Sequence, residues 1–287
     1  SEEGETQGKS RLSGHEYLTR LSRYIIKLLD EVTEDGFVYR VDTRLRPFGQ
    51  SGPPVLSFAA LESYLLQHGR SWERYAYVKA RVVSPETPER VVTELQESMV
   101  DPFVYRRYLD YGVFESLRDM KALIESEVQR RELTHNIKLG AGGIREIEFI
   151  TQSLQLVRGG AIQQLRSRSL REALSSLRDN RCLDGHSVKM LLEAYVFLRR
   201  VENAIQAIRD QQTHDLPTDM QDRARLILIM DYPNWGLFEK DLVRHRDYVS
   251  REFEKIVFSG NDYKHSDRLT RLLATQWLTT ADEDEWT

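Results

Sequence analysis

Asp42 stands between Arg40 and Arg44 at two-residue spacing, with Arg46 just beyond, ahead of a loop that contains Gly49 and Gly52. A carboxylate among guanidinium groups suits a place where a divalent metal and phosphate oxygens meet. The carboxylate takes Mg²⁺, and the arginines fork onto phosphate. One carboxylate is not a metal site, and the same spacing also describes a solvated edge strand with cross-strand ion pairs. A second basic group, Arg74, Lys79 and Arg81, lies among Trp72, Tyr75 and Tyr77. On a continuous helix Lys79 and Arg81 point about 200° apart, so they line one groove only if the helix ends between them. The plainer alternative is an amphipathic helix with snorkelling basic side chains.

A third group runs from Lys138 to Phe149, Lys-Leu-Gly-Ala-Gly-Gly-Ile-Arg-Glu-Ile-Glu-Phe. A glycine-rich turn opening a helix leaves backbone N–H groups facing outward, the arrangement by which helix N-termini hold phosphate. The spacing is not a dinucleotide fingerprint. Glu146 and Glu148 flank the apolar stripe on opposite sides, so they are no ready-made metal pair, and a tight backbone contact would ask for the same glycines.

These groups need elements to hold them. Residues ~14 to 30 carry one amphipathic stripe through Tyr17, Leu18, Leu21, Tyr24, Ile25 and Leu28. After the Asp35-Gly36 turn, residues 37 to 45 alternate strictly, with Phe37, Tyr39, Val41 and Leu45 on one face and Arg40, Asp42 and Arg44 on the other. The pattern predicts a strand and a small sheet. A helix capped by Ser57 and another over ~70 to 82 follow. Helix breakers then thin out: Pro47, Pro53, Pro54, Pro85, Pro88 and Pro102 precede residue 103, and only Pro217 and Pro233 come later. Long 3.6-residue patterns such as Val113 to Val128 and Ile144 to Val157 predict a helical bundle over ~103 to 258. The helix over ~187 to 211 has two apolar stripes. The second turns polar halfway, through Arg199, Glu202, Gln206 and Arg209, which predicts a buried ion-pair network or the floor of a cleft.

The reading is therefore mainly α. A partial α+β domain over residues 1–100 precedes an all-α bundle over 101–258, with a linker and tail over 259–287. A chain of 287 residues is long enough for two modest cores. Its 41 Lys and Arg against 45 Asp and Glu leave a net charge of −4, no global field for a nucleic acid, so any phosphate chemistry is local. The lone Cys182 fits a reducing, cytoplasmic setting. Apolar runs as short as Leu226 to Met230 exclude a membrane-spanning helix. No HExxH, GxxxxGK[ST], GxSxG or cysteine pair occurs, and the histidines are scattered, which argues against zinc hydrolysis and Cys-His catalysis.

The run from Tyr39 to Pro53, Tyr-Arg-Val-Asp-Thr-Arg-Leu-Arg-Pro-Phe-Gly-Gln-Ser-Gly-Pro, closely resembles the bacterial bifunctional glutamine synthetase adenylyltransferase/adenylyl-removing enzyme. So do Trp72 to Arg81, Asn136 to Phe149 and Leu198 to Gln206, in the same order over about residues 11 to 258. That family has two homologous halves, each a nucleotidyltransferase domain followed by a helical domain. The Gly-Gly-Ile-Arg-Glu-Ile-Glu-Phe form resembles the N-terminal, adenylyl-removing half. The resemblance implies phosphorolysis of the adenylyl-tyrosine bond on glutamine synthetase to give ADP, with Mg²⁺ as cofactor; the parent enzyme also adenylylates with ATP. Glutamine synthetase and a PII-type nitrogen regulator are the implied partners.

By the same resemblance Asp42 is a metal ligand and, with Arg44, catalytic. Arg46, Lys79, Arg81 and Lys138 are then nucleotide or phosphate ligands. The family's Ser-Asp-x-Asp metal strand does not occur before Tyr39, so the chain is expected to be a fragment that is inactive alone. The alternative is a helical interaction module that docks glutamine synthetase or a nitrogen-signalling regulator.

Overall fold

The computed structural model describes residues 4–7, 11–36, 38–83, 86–106, 133–209 and 211–258. The apolar pattern over 113–128 and the tail over 259–287 lie outside the described residues. The chain divides into two compact units, Ser1–Val104 and Tyr105–Thr287, and the described residues are mainly helical.

In the first unit, Ser13 starts helix α1 (Gly14–Asp30) with a capping box. Its hydroxyl accepts the Glu16 N–H, while the Glu16 carboxylate accepts the Ser13 N–H. None of α1's residues is buried, and its apolar stripe, from Leu21 at 38% to Tyr24 at 59%, faces outward. The strand expected after it does not form. Val38 and Tyr39 N–H both donate to Leu29 O, and Val41 N–H donates to Asp30 Oδ1 at 2.9 Å, so this segment is tied to the end of α1. Among the described residues no strand lies alongside to complete a ladder, and the Asp42 carboxylate accepts the Arg44 N–H at 2.9 Å, a local turn that ends the extended run.

Ser57 caps helix α2 (Phe58–Gln67) through the Ala60 N–H, as its position predicts. Helix α3 (Ser71–Val78) follows, then α4 (Glu89–Thr93), a π-helical stretch Glu94–Val100 and α5 (Asp101–Val104). Tyr64, Leu65, Val78, Val100, Phe103 and Val104 make the buried centre. Arg74, 0% exposed, joins it by donating from Nε and Nη2 to Val104 O, at 3.0 and 2.9 Å.

The second unit is a bundle of α6 (Ile144–Arg158), α7 (Leu170–Asp179), α8 (Gly185–Arg209), α9 (Met220–Ile229) and α10 (Trp235–Phe258). Helix α8 is central and packs on the other four. Ile147 and Ile150 of α6, Leu174 and Leu177 of α7, Leu191, Leu198 and Val201 of α8, and Phe238 and Val249 of α10 are fully or almost fully buried. At the glycine-rich turn before α6, the backbone of α10 lies very close. At Gly142 φ is +70°, and a β-carbon there would lie 2.1 Å from Arg246 O. Both the backbone angle and the space require glycine. Gly142→Ala should therefore lower the stability of this unit by about 2–3 kcal/mol, the cost of forced overpacking. An unchanged urea midpoint, followed by far-ultraviolet circular dichroism, would contradict that.

Candidate functional site

Asp42 and Arg44 form one compact pair. Arg44 Nε lies 3.1 Å from each Asp42 carboxylate oxygen, and Nη2 lies 2.8 Å from Oδ2. Both oxygens are thus gripped by the guanidinium, in the two-pronged geometry that arginine also offers to phosphate. The hydrogen bond from Arg44 outweighs partial burial and holds the Asp42 carboxyl below its ordinary value. Asp42 is accordingly an ionised carboxylate at neutral pH. Among the described residues no group of three His, Cys, Asp or Glu is placed to hold a metal ion.

Arg46, expected to bind nucleotide or phosphate, is engaged with its own loop. Its Nε donates to Gly52 O, Nη2 to Gln50 O, and Nη1 to both Thr43 O and Thr43 Oγ1. It closes the segment 43–52 as a tight ring. Lys79 and Arg81 are both exposed, and α3 ends at Val78, ahead of both. The opposition that a continuous helix would impose on them therefore does not arise.

Tyr64 and Glu73, on α2 and α3, were not singled out by their spacing. The Tyr64 hydroxyl donates to Glu73 Oε1, and the Arg70 N–H donates to Glu73 Oε2, each at 2.7 Å. Burial, and then the neighbouring carboxylate of Glu73, push the Tyr64 phenol up to about 12. A tyrosine nine residues before a glutamate carries no periodic signature, so only the folded chain shows this pair.

In the second unit the polar face of α8 does meet buried partners. Arg199 reaches Glu202 Oε2 at 2.6 Å and Glu148 Oε1, on α6, at 3.1 Å; Arg145 approaches Glu148 Oε2 at 3.5 Å. Glu202 Oε1 lies 3.1 Å from His214 Nδ1, and His214 Nε2 lies 3.1 Å from Lys138 Nζ. An ammonium group has only donors, so Nε2 accepts from Lys138 and the ring proton sits on Nδ1, the nitrogen near Glu202. Lys138 thus ends a chain of polar side chains that begins inside the bundle. The isolated scatter of histidines gave no hint of His214, which reaches the network because Ile137 N–H donates to His214 O and pins the two segments together.

The glycine-rich turn is occupied by its own groups. Gly142 N–H donates to Glu146 Oε2 at 2.9 Å, and Arg246 Nε donates to Ala141 O at 2.8 Å. Close packing therefore accounts for the glycines.

Residues 1–97 match the family model of glutamate-ammonia ligase adenylyltransferase. Residues 118–257 match that of the GlnD PII-uridylyltransferase. Each match covers less than half of the chain, and both are to families of nucleotidyltransferases. Asp42, Arg44, Arg46, Lys79 and Arg81 fall within the adenylyltransferase match, and Lys138, Glu202 and His214 within the uridylyltransferase match. Among the described residues no helix is long and apolar enough to cross a membrane.

Burial raises the Glu202 carboxyl, but the hydrogen bonds from His214 and Arg199 outweigh it and hold the group at about 2, against an ordinary 4.5. A carboxyl that is more acidic in the folded chain stabilises the fold fully above the unfolded value, and this contribution disappears as pH falls from about 4.5 towards 2. Glu202→Gln should lower the urea midpoint at neutral pH and flatten its fall across that acid range. A variant with the parent's acid profile would show that Glu202 is not the group responsible.

Proposed function

We propose that this chain serves the removal of AMP from an adenylylated tyrosine of glutamine synthetase by phosphorolysis. A phosphate oxygen attacks the α-phosphorus, the bond from phosphorus to the tyrosyl oxygen breaks, and ADP and the unmodified tyrosine result. The observation that carries the proposal is the Asp42–Arg44 pair on a loop closed by Arg46, inside the stretch matched to glutamate-ammonia ligase adenylyltransferase. The N-terminal, adenylyl-removing half is the version proposed, on the Gly-Gly-Ile-Arg-Glu-Ile-Glu-Phe run alone. A parent activity that adenylylates glutamine synthetase with ATP belongs to the same proposal, as does a cytoplasmic setting.

Phosphoryl transfer needs little covalent help and much charge stabilisation. Arg44 is already arranged to grip an oxyanion, and Lys79 and Arg81 add positive charge beyond α3. Mg²⁺, the cofactor implied for such a reaction, takes several oxygen ligands. The described residues offer Asp42 as one ionised ligand and do not by themselves build that centre. The roles assigned here therefore rest on the arginines and lysine.

The second reading, a helical module docking glutamine synthetase or a PII-type regulator, draws support from the printed name of the family matched by residues 118–257. Arg44→Ala in the full-length protein separates the two. On the catalytic reading, phosphate-dependent ADP release from adenylylated glutamine synthetase falls at least about 100-fold, the order lost with one group that stabilises transition-state charge, while the circular dichroism spectrum is unchanged. Undiminished release would leave the docking module as the better account.

A further inference from the structure

His245, on α10, is 7% exposed. Its ring lies against that of Phe197, on α8, with centroids 4.7 Å apart and 28° between the planes. Phe197 also packs against Phe238 of α10 at 6.0 Å, so the imidazole takes its place among aromatic rings that join the two helices. Neither ring nitrogen has an acceptor. Nδ1 is buried without a hydrogen-bond partner among the described residues, and Nε2 lies 3.4 Å from Arg244 Nη2, which can only donate. A neutral ring can turn its Nε2 lone pair to that donor. The imidazolium carries an N–H at both nitrogens and can satisfy neither.

The charged groups that face the ring are Arg244 and Asp241 of α10 and Glu193 of α8. Among the described residues none from α6 or α9, the other helices packed on α10, adds to them. Both carboxylates are already engaged. Asp241 accepts from the Tyr232 hydroxyl at 2.8 Å and lies 3.2 Å from Arg244 Nη2, while Glu193, exposed, stands 3.9 Å from Lys189 Nζ. The Phe197 face attracts a cation but supplies no acceptor for its N–H groups. Burial first, and then Arg244, hold the imidazole below its ordinary 6.5 against the weaker pull of Asp241 and Glu193.

We propose that His245 makes the contact between α8 and α10 sensitive to acid: a proton taken up by the ring leaves a buried cation without acceptors, and α10 is then held less firmly on α8. This rests on the packing of the helical unit and is independent of the reaction proposed above.

The ring's own titration can be followed in the full chain through its Cε1–H signal by nuclear magnetic resonance. The midpoint should lie below 6.5, and a midpoint at or above that value overturns the proposal. Stability gives the second reading. A histidine whose folded value is lowered contributes fully above the unfolded value, and the contribution is lost as pH falls below 6.5, by up to about ten-fold in the folding constant per pH unit. The parent's urea midpoint should therefore fall between about pH 7 and about pH 5.5, the range in which histidine gains its proton and above that of Glu202. His245→Phe keeps a ring on Phe197 and should remove most of that fall, whereas His186→Phe, at an exposed position of α8, should retain it. If His245→Phe falls as the parent does, or if His186→Phe abolishes the fall instead, the proposal is overturned. Should His245→Phe fail to fold, the midpoint of the ring signal in the parent decides.

Discussion

A carboxylate taken out of water must be met by donors from every side, and in the helical unit that requirement falls on Glu202, 4% exposed in the middle of α8. Removing one partner from such a buried pair costs roughly 3–5 kcal/mol, because a charge is left uncompensated. The partners come from different parts of the chain: Arg199 from the same helix, His214 from the segment after it, and Lys138 through His214 from the turn before α6. Each contact settles where one of those segments can lie. Apolar packing holds the five helices together, and the polar chain decides which segments meet at this end of α8.

The first unit obeys the same rule with other partners. Its fully buried cation, Arg74, is answered by the backbone carbonyl of Val104, and its buried carboxylate, Glu73, by a phenol and a backbone amide. At the surface the rule relaxes. Asp42 and Arg44 sit where water can replace either of them, so their pairing adds little to stability. That makes the pair exchangeable in a way that the Glu202 network is not.

The sequence made half of the ten numbered helices legible, because a buried stripe must recur at 3.6 residues. Helices α1, α2, α3, α6 and α8 fall where the stripes and caps predict them, and the polar turn of the second α8 stripe marked a network that is there. Two kinds of feature stayed hidden. Alternation from Phe37 to Leu45 expressed a capacity for strand, but a strand also needs a neighbour, which a local pattern cannot supply. His214, Tyr64 and Glu73 were invisible for a related reason: each acquires its role from a residue distant in sequence or on another helix. Arg46 shows the converse. Its type and place suggested an external ligand, whereas its five donors are aimed largely at the carbonyls of its own loop.

The close approach at Gly142 has one further consequence. The atoms that exclude a β-carbon there are the backbone carbonyl, carbonyl carbon and α-carbon of Arg246, which every amino acid possesses. No replacement at position 246 can therefore make room for a larger residue at position 142. Across related sequences the two positions would then show no correlated change, position 142 being fixed and position 246 answering to its own side chain's contacts. A search for correlated substitutions would pass over one of the tightest contacts in the bundle.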